Sequence, residues 1–112
     1  MKRILTGILL IPFFAGAVFA QQPTGTLEQI KEVIKPDTKA ILIQACETST
    51  GVFHPVEAVG QMLKDYPDCL LIVDAITALG VHPIDMQKMN IDVVVGGSQK
   101  ALMCPPGVAT IS

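Results

Sequence analysis

Two residues of this sequence stand where chemistry could be done. Asp74 closes the apolar run Leu70-Leu71-Ile72-Val73, and Lys100 follows Gly96-Gly97-Ser98-Gln99 at the end of another run, Ile91 to Val95, interrupted by Asp92. A buried strand that ends in a lone carboxylate, next to a strand whose end carries a glycine-preceded lysine, suits a pyridoxal phosphate (PLP) site. In such a site the lysine forms a Schiff base with the cofactor. The aspartate pairs with the pyridinium nitrogen and keeps it protonated, so that the ring can accept electrons from a substrate carbanion. Other roles fit the same residues. An aspartate closing a strand also serves as a helix cap or turn former, and a lysine after two glycines also serves as a solvated loop residue. The orders GxxxxGK[ST] and GxGxxG are both absent, so neither a P-loop nor a dinucleotide fingerprint is indicated.

The elements that must position these residues follow from periodicity and punctuation. Thr26-Leu27-Glu28-Gln29 fits a capping box, and Leu27, Ile30, Val33 and Ile34 continue at helical spacing until Pro36. Ala40-Ile41-Leu42-Ile43 has the pattern of a strand covered on both faces, and it gives way to the polar loop Cys46-Glu47-Thr48-Ser49-Thr50-Gly51. Pro55 suits a helix first turn, with Val56, Val59, Leu63 and Tyr66 on one face until Pro67. After Lys100, Pro105-Pro106-Gly107 turns the chain into a last short run, Val108 to Ile111. Strands alternating with helical stretches predict an α/β fold with a largely parallel sheet. Ligands of such sheets sit beyond the carboxyl ends of the strands. The loop from Glu47 to Thr50, Asp74 and Ser98-Gln99-Lys100 are therefore expected to meet at one edge.

Composition narrows the function classes. Of 112 residues 50% are apolar and 16% charged, a globular balance. Eight Lys and Arg against ten Asp and Glu leave a net charge of −2, without the basic footprint that nucleic-acid binding needs. Cys46, Cys69 and Cys104 have neither CxxC nor His-paired spacing, so they read as small core residues rather than disulfide or metal ligands. His54 and His82 read as turn or surface residues. Residues 1–20 form a separate segment: the basic Met1-Lys2-Arg3, an apolar run, and Ala17-Val18-Phe19-Ala20 before Gln21. That is a signal-peptide pattern with a cut expected after Ala20. An uncleaved membrane anchor and an artefactual leader are the competing readings. Cleavage would leave residues 21–112 as an acidic domain with no arginine.

Three motifs in order carry a family resemblance over about residues 24–112. They are Glu47-Thr48-Ser49-Thr50-Gly51-Val52, Val73-Asp74-Ala75-Ile76-Thr77-Ala78-Leu79-Gly80, and Ile91 to Met103 with Gly96-Gly97-Ser98-Gln99-Lys100 at its centre. Asp74 and Lys100 lie 26 residues apart. Together the motifs resemble the central part of the class V aminotransferases, fold type I PLP enzymes, in the serine or alanine–glyoxylate (serine–pyruvate) group. Gln99 departs from the related cysteine desulfurases, which typically carry histidine before the lysine. The resemblance implies a part of the largely parallel sheet of the PLP-dependent transferase large domain, PLP as cofactor, an amino acid and a 2-oxo acid as substrates, and a homodimer. It implies that Lys100 carries the cofactor and acts as general base, and that Asp74 binds the pyridine nitrogen. It further places Ser49 near the phenolic oxygen, Ile76 on one ring face, and Gln99 with Ser98 near the phosphate.

A complete enzyme of this family is far longer than 112 residues, so the resemblance implies a fragment of a transaminase moving an amino group from alanine or serine to glyoxylate or pyruvate, inactive alone. The family's phosphate loop, its ring-stacking aromatic and its carboxylate-clamping arginine have no match here. The alternative is a non-catalytic exported α/β module used for binding or structure. The leader points to export, periplasmic or secreted, with membrane association only if it stays uncleaved, whereas the resemblance points to the cytoplasm.

Overall fold

Strand and helix alternate along the chain, and the strands lie side by side in the order in which they occur. The computed structural model describes residues 8–10 and 27–112. Its sheet contains β1 (Ile8–Leu10), β2 (Ala40–Gln44), β3 (Leu70–Asp74), β4 (Val93–Gly97) and β5 (Ala109–Ile111), in the order β1-β2-β3-β4-β5. The first four are parallel, and β5 returns antiparallel on β4. Helices α1 (Leu27–Val33), α2 (Val56–Met62) and α3 (Met86–Met89) fall between successive parallel strands. This is the mixed α/β, largely parallel architecture that the alternation predicts. The predicted leader, residues 1–20, lies outside the described residues except for Ile8–Leu10, whose backbone pairs with Ala40–Leu42. The capping residue Thr26 also lies outside them. No helix among the described residues is long and apolar enough to cross a membrane.

Register separates the two faces of the sheet. Ile41 pairs with Leu71, and Ile43 with Val73 and Val94 in one row. These side chains are buried against Ile30, Val56, Val59, Leu63, Met89 and Ile91. Each fully buried aliphatic side chain contributes about 1.5–3 kcal/mol. The alternate row, Leu42, Ile72 and Val93, is half-buried. The expectation of strands covered on both faces is thus corrected: among the described residues the helices cover one face. Asp74 shares its parity with Leu42 and Ile72, and lies on the opposite side from the helix-packed core.

Several boundaries shift for identifiable reasons. The strand expected at Ile91–Val95 runs instead from Val93 to Gly97. Asn90 adopts a left-handed conformation, φ 53°, to end α3, and the Asp92 carboxylate accepts the Leu71 N–H at 2.7 Å in place of a ladder bond. Helix α3 was not expected, being too short for a periodic signal. Its start is nonetheless written in Asp85, whose carboxylate accepts the Lys88 N–H at 3.0 Å. Val33, expected on the apolar face of α1, is 47% exposed. Of the cysteines only Cys69 is buried, and burial pushes its thiol pKa up. Cys46 is half-buried and packs against the core, and Cys104 is exposed, so the reading of all three as core residues fails for Cys104. His54 is buried, whereas His82 is exposed with its ring 4.4 Å from that of Phe53.

Gly60 is where α2 meets α3. A β-carbon there would land on the Met89 carbonyl oxygen, and the Gly60 carbonyl accepts the Asn90 side-chain amide at 3.0 Å. The obstacle is backbone and cannot rotate away. Gly60→Ala is expected to cost about 1–3 kcal/mol in overpacking, exceeding the roughly 1 kcal/mol that alanine gains over glycine within a helix. Urea unfolding beside the exposed control Lys64→Ala checks this; equal or higher stability for Gly60→Ala would show that the two helices do not pack at this point.

Candidate active site

Asp74 sits at the centre of the carboxyl edge, because Gln44, Asp74 and Val95 occupy one row across three strands. The ladder runs one step further on each side, with Ala45 N–H donating to the Asp74 carbonyl and Ala75 N–H to the Val95 carbonyl, both at 2.8 Å. Three loops therefore leave the sheet at one level. The half-buried Asp74 carboxylate is oriented by its own loop, one oxygen accepting the Ile76 N–H at 2.9 Å. Its second oxygen takes no hydrogen bond from the described residues.

The loop after β2 folds on itself. Glu47 N–H donates to the Val52 carbonyl and Gly51 N–H to the Glu47 carbonyl, with Gly51 at φ 70° closing the turn. One Glu47 carboxylate oxygen accepts both the N–H of Ser49 at 2.9 Å and its hydroxyl at 2.8 Å. These bonds lower the Glu47 pKa, the backbone N–H of Ser49 contributing most. The exposed Ser49 hydroxyl proton is thereby directed to Glu47. The Thr48 hydroxyl instead meets the Thr77 hydroxyl of the next loop at 2.6 Å.

The loop from 98 to 108 is the connection of the β4–β5 hairpin. Ser98 is buried and anchors it three ways: its N–H donates to the Val108 carbonyl, its carbonyl accepts the Cys104 N–H, and its hydroxyl donates to the Pro105 carbonyl at 2.7 Å. Lys100 begins a turn in which its carbonyl accepts the Met103 N–H, with Met103 at φ 54°. The lysine is exposed, and its amine forms no ion pair among the described residues. A β-carbon on Gly97 would come within 2.9 Å of the Gln99 side-chain oxygen and 3.4 Å of an Ile76 methyl, and one on Gly80 within 3.1 Å of the Ala101 β-carbon. The second and third loops thus close over the end of β4.

Ile76 and Gln99 are brought together over Gly97, with Asp74 at the end of β3 and Lys100 in the loop that follows β4. Ser98 is turned into its own loop and Ser49 toward Glu47. Sequence reasoning missed the Thr48–Thr77 contact and the role of Glu47. Both threonines lie within the quoted motifs, but a contact across 29 residues becomes visible only through strand register. Among the described residues no group of three or more His, Cys, Asp or Glu could hold a metal ion. A carboxylate with one unused oxygen, an unpaired amine and a strand end kept open by glycine fit the ring and aldehyde end of PLP. The only arginine of the chain is Arg3.

The chain is thus an α/β protein of largely parallel sheet whose polar loops gather at the carboxyl edge, where ligands of such sheets sit. A sequence model of the class-V aminotransferases matches residues 17–112, and the chain belongs to that family. An uncharacterized aminotransferase of Helicobacter pylori is 42% identical over 98 residues, covering 85% of this chain and 26% of that protein. The alanine–glyoxylate aminotransferase of Oryctolagus cuniculus is 41% identical over 88 residues, covering 78% and 22%. The crystal structure of an alanine–glyoxylate aminotransferase from Nostoc sp. superposes with TM-score 0.70 at 32% identity, covering 78% of this chain and 24% of that one. The chain spans about a quarter of the length of these relatives. The family and its structural neighbours are PLP-dependent.

Glu47 has a depressed pKa in the folded state, so its contribution to stability is complete above the ordinary value of 4.5 and is lost as pH falls through the lowered one. Glu47→Gln is expected to flatten this part of the acid limb of the stability curve. Denaturation midpoints measured between pH 6 and about pH 3 check it, and parallel curves for the two proteins would count against the Ser49 bonds.

Proposed function

We propose that this chain is the PLP-binding segment of an aminotransferase that moves an amino group from alanine or serine to glyoxylate or pyruvate, and that it does not turn over alone. Asp74 at the end of β3 and Lys100 in the loop that follows the neighbouring β4, in a chain belonging to the class-V family, carry this reading. Similarity to alanine–glyoxylate aminotransferases supports the choice of substrates. The chain's share of its relatives' length, and the lack of any arginine beyond Arg3 to clamp a substrate carboxylate as a rigid fork, support inactivity in isolation.

When bound, PLP supplies an electron sink for the carbanion formed at the substrate α-carbon. Asp74 would accept the N–H of the protonated pyridine nitrogen on its unused oxygen and stabilise its positive charge. Lys100 would hold the cofactor through its amine, and the same amine would move the proton at the substrate α-carbon. Ile76 would pack on one ring face. Gln99 would reach the phosphate, and Ser98 would support it by pinning the loop to Pro105. Ser49 donates to the phenolic oxygen only by releasing Glu47. The family's homodimer would bring a second such edge to the assembly.

In the full-length protein carrying this segment, Lys100→Ala is expected to abolish borohydride-fixable PLP and to lower turnover beyond the ~10²- to 10⁴-fold typical of one acid–base group. Asp74→Ala should keep borohydride-fixable PLP but release it faster and turn over more slowly. Mass spectrometry after reduction, with circular dichroism as the folding check, separates the two. Fixable PLP and near-normal transamination in well-folded Lys100→Ala would overturn the reading and favour a non-catalytic binding module.

A further inference from the structure

The loops that follow β2 and β3 each satisfy their own backbone. Glu47, Val52 and Gly51 close the first, while the Asp74 carboxylate and the Ala75 carbonyl hold the N–H groups of Ile76 and Leu79 in the second. Beyond the last ladder bond, from Ala45 to Asp74, the side-chain hydrogen bond that joins these loops among the described residues is the one between the hydroxyls of Thr48 and Thr77 at 2.6 Å. It ties the residue before Ser49 to the residue after Ile76. We propose that Thr48 and Thr77 form a positioning clamp that fixes the β2 loop against the Asp74–Ile76 turn and so presets the width of the cofactor edge. This consequence for the cofactor rests on the function proposed above; the clamp itself does not.

The chemistry makes the clamp selective. Two hydroxyls in one hydrogen bond need only one proton between them, so the accepting threonine keeps its own proton for a neighbouring group. Serine at either position retains the bond. Valine, of almost the same shape, removes it without opening a cavity. Because the pair is solvent-exposed, its loss should loosen the two loops without unfolding the sheet.

The test uses the full-length protein carrying this segment, with Thr48→Val, Thr77→Val, the double variant and Thr77→Ser. Without cofactor, hydrogen exchange at the amides of Glu47, Gly51, Ile76 and Leu79 is expected to quicken about three- to tenfold in each valine variant. The double variant should be no worse than either single one. Thr77→Ser should match the wild type, and the amides of Leu71 and Val94 in the sheet should be unchanged. PLP affinity by equilibrium dialysis should fall by a similar factor in the valine variants and recover in Thr77→Ser. Wild-type exchange in the valine variants, or additive effects in the double variant, would overturn the clamp. Faster loop exchange with unaltered PLP affinity would overturn its positioning of the cofactor. Failure of the wild type to retain PLP would refute the aminotransferase reading, while the exchange cycle would still decide the clamp.

Discussion

The carboxyl edge depends on one constraint, the register that keeps Gln44, Asp74 and Val95 in a single row. Strand side chains alternate, so a slip of one residue in β3 would send Asp74, with Ile72 and Leu70, to the helix-packed face and bring Leu71 and Val73 out of it. A carboxylate there would lie among Ile43, Val59 and Val94, unpaired and expensive to desolvate. The same apolar alternation that buries Ile41, Ile43, Leu71 and Val73 therefore holds the acid where it can meet a ligand. Stability and site geometry are read from one pattern, and neither can change register without the other.

A second constraint acts at the end of β4. A β-carbon at Gly96 would lie 2.6 Å from the Thr110 hydroxyl and 2.7 Å from a Leu79 methyl, and one at Gly97 would press on Gln99 and Ile76. Neighbours from β5 and from the β3 loop descend onto this strand end because it has no side chains. The two glycines are strand residues, paired with Thr110 and Ala109. Their work is to let Ile76 and Gln99 approach, and this is a packing requirement rather than a demand for unusual backbone angles.

Much of the fold was legible in the sequence because strong local signals agreed with the tertiary ones. The apolar runs at Ala40–Ile43 and Leu70–Val73 became β2 and β3, and Pro55 and Pro67 bracket α2 and the 3-10 turn that extends it. Where the reading failed, a side chain had replaced a backbone partner. Asp92 satisfied Leu71 and delayed β4, and Asp85 started a one-turn helix no periodicity could reveal. Continuous apolar character also overstated coverage, since a half-buried row such as Leu42, Ile72 and Val93 has the composition of a buried one. At the site, Asp74 and Lys100 were legible as residue types at strand ends. The commitments of Ser49, Ser98 and the two threonines were not, because each depends on which loop stands opposite.

Those commitments decide what the edge offers a ligand. Ser49 gives its proton to Glu47, Ser98 gives its proton to Pro105, and Thr48 and Thr77 spend one of their two on each other. The hydroxyls chiefly build the loops. Charge is left to Asp74 and Lys100, an anion half-buried in the sheet and a cation exposed in the loop that follows the next strand. Such a pair is complementary to a molecule that bears a protonated ring nitrogen at one end and an electrophilic carbon at the other. To a free carboxylate it offers a single point charge rather than the two-point fork of a guanidinium. Under the function proposed above, Asp74 and Lys100 would hold an aromatic cofactor, while a rigid two-point clamp on a substrate carboxylate would call for a guanidinium.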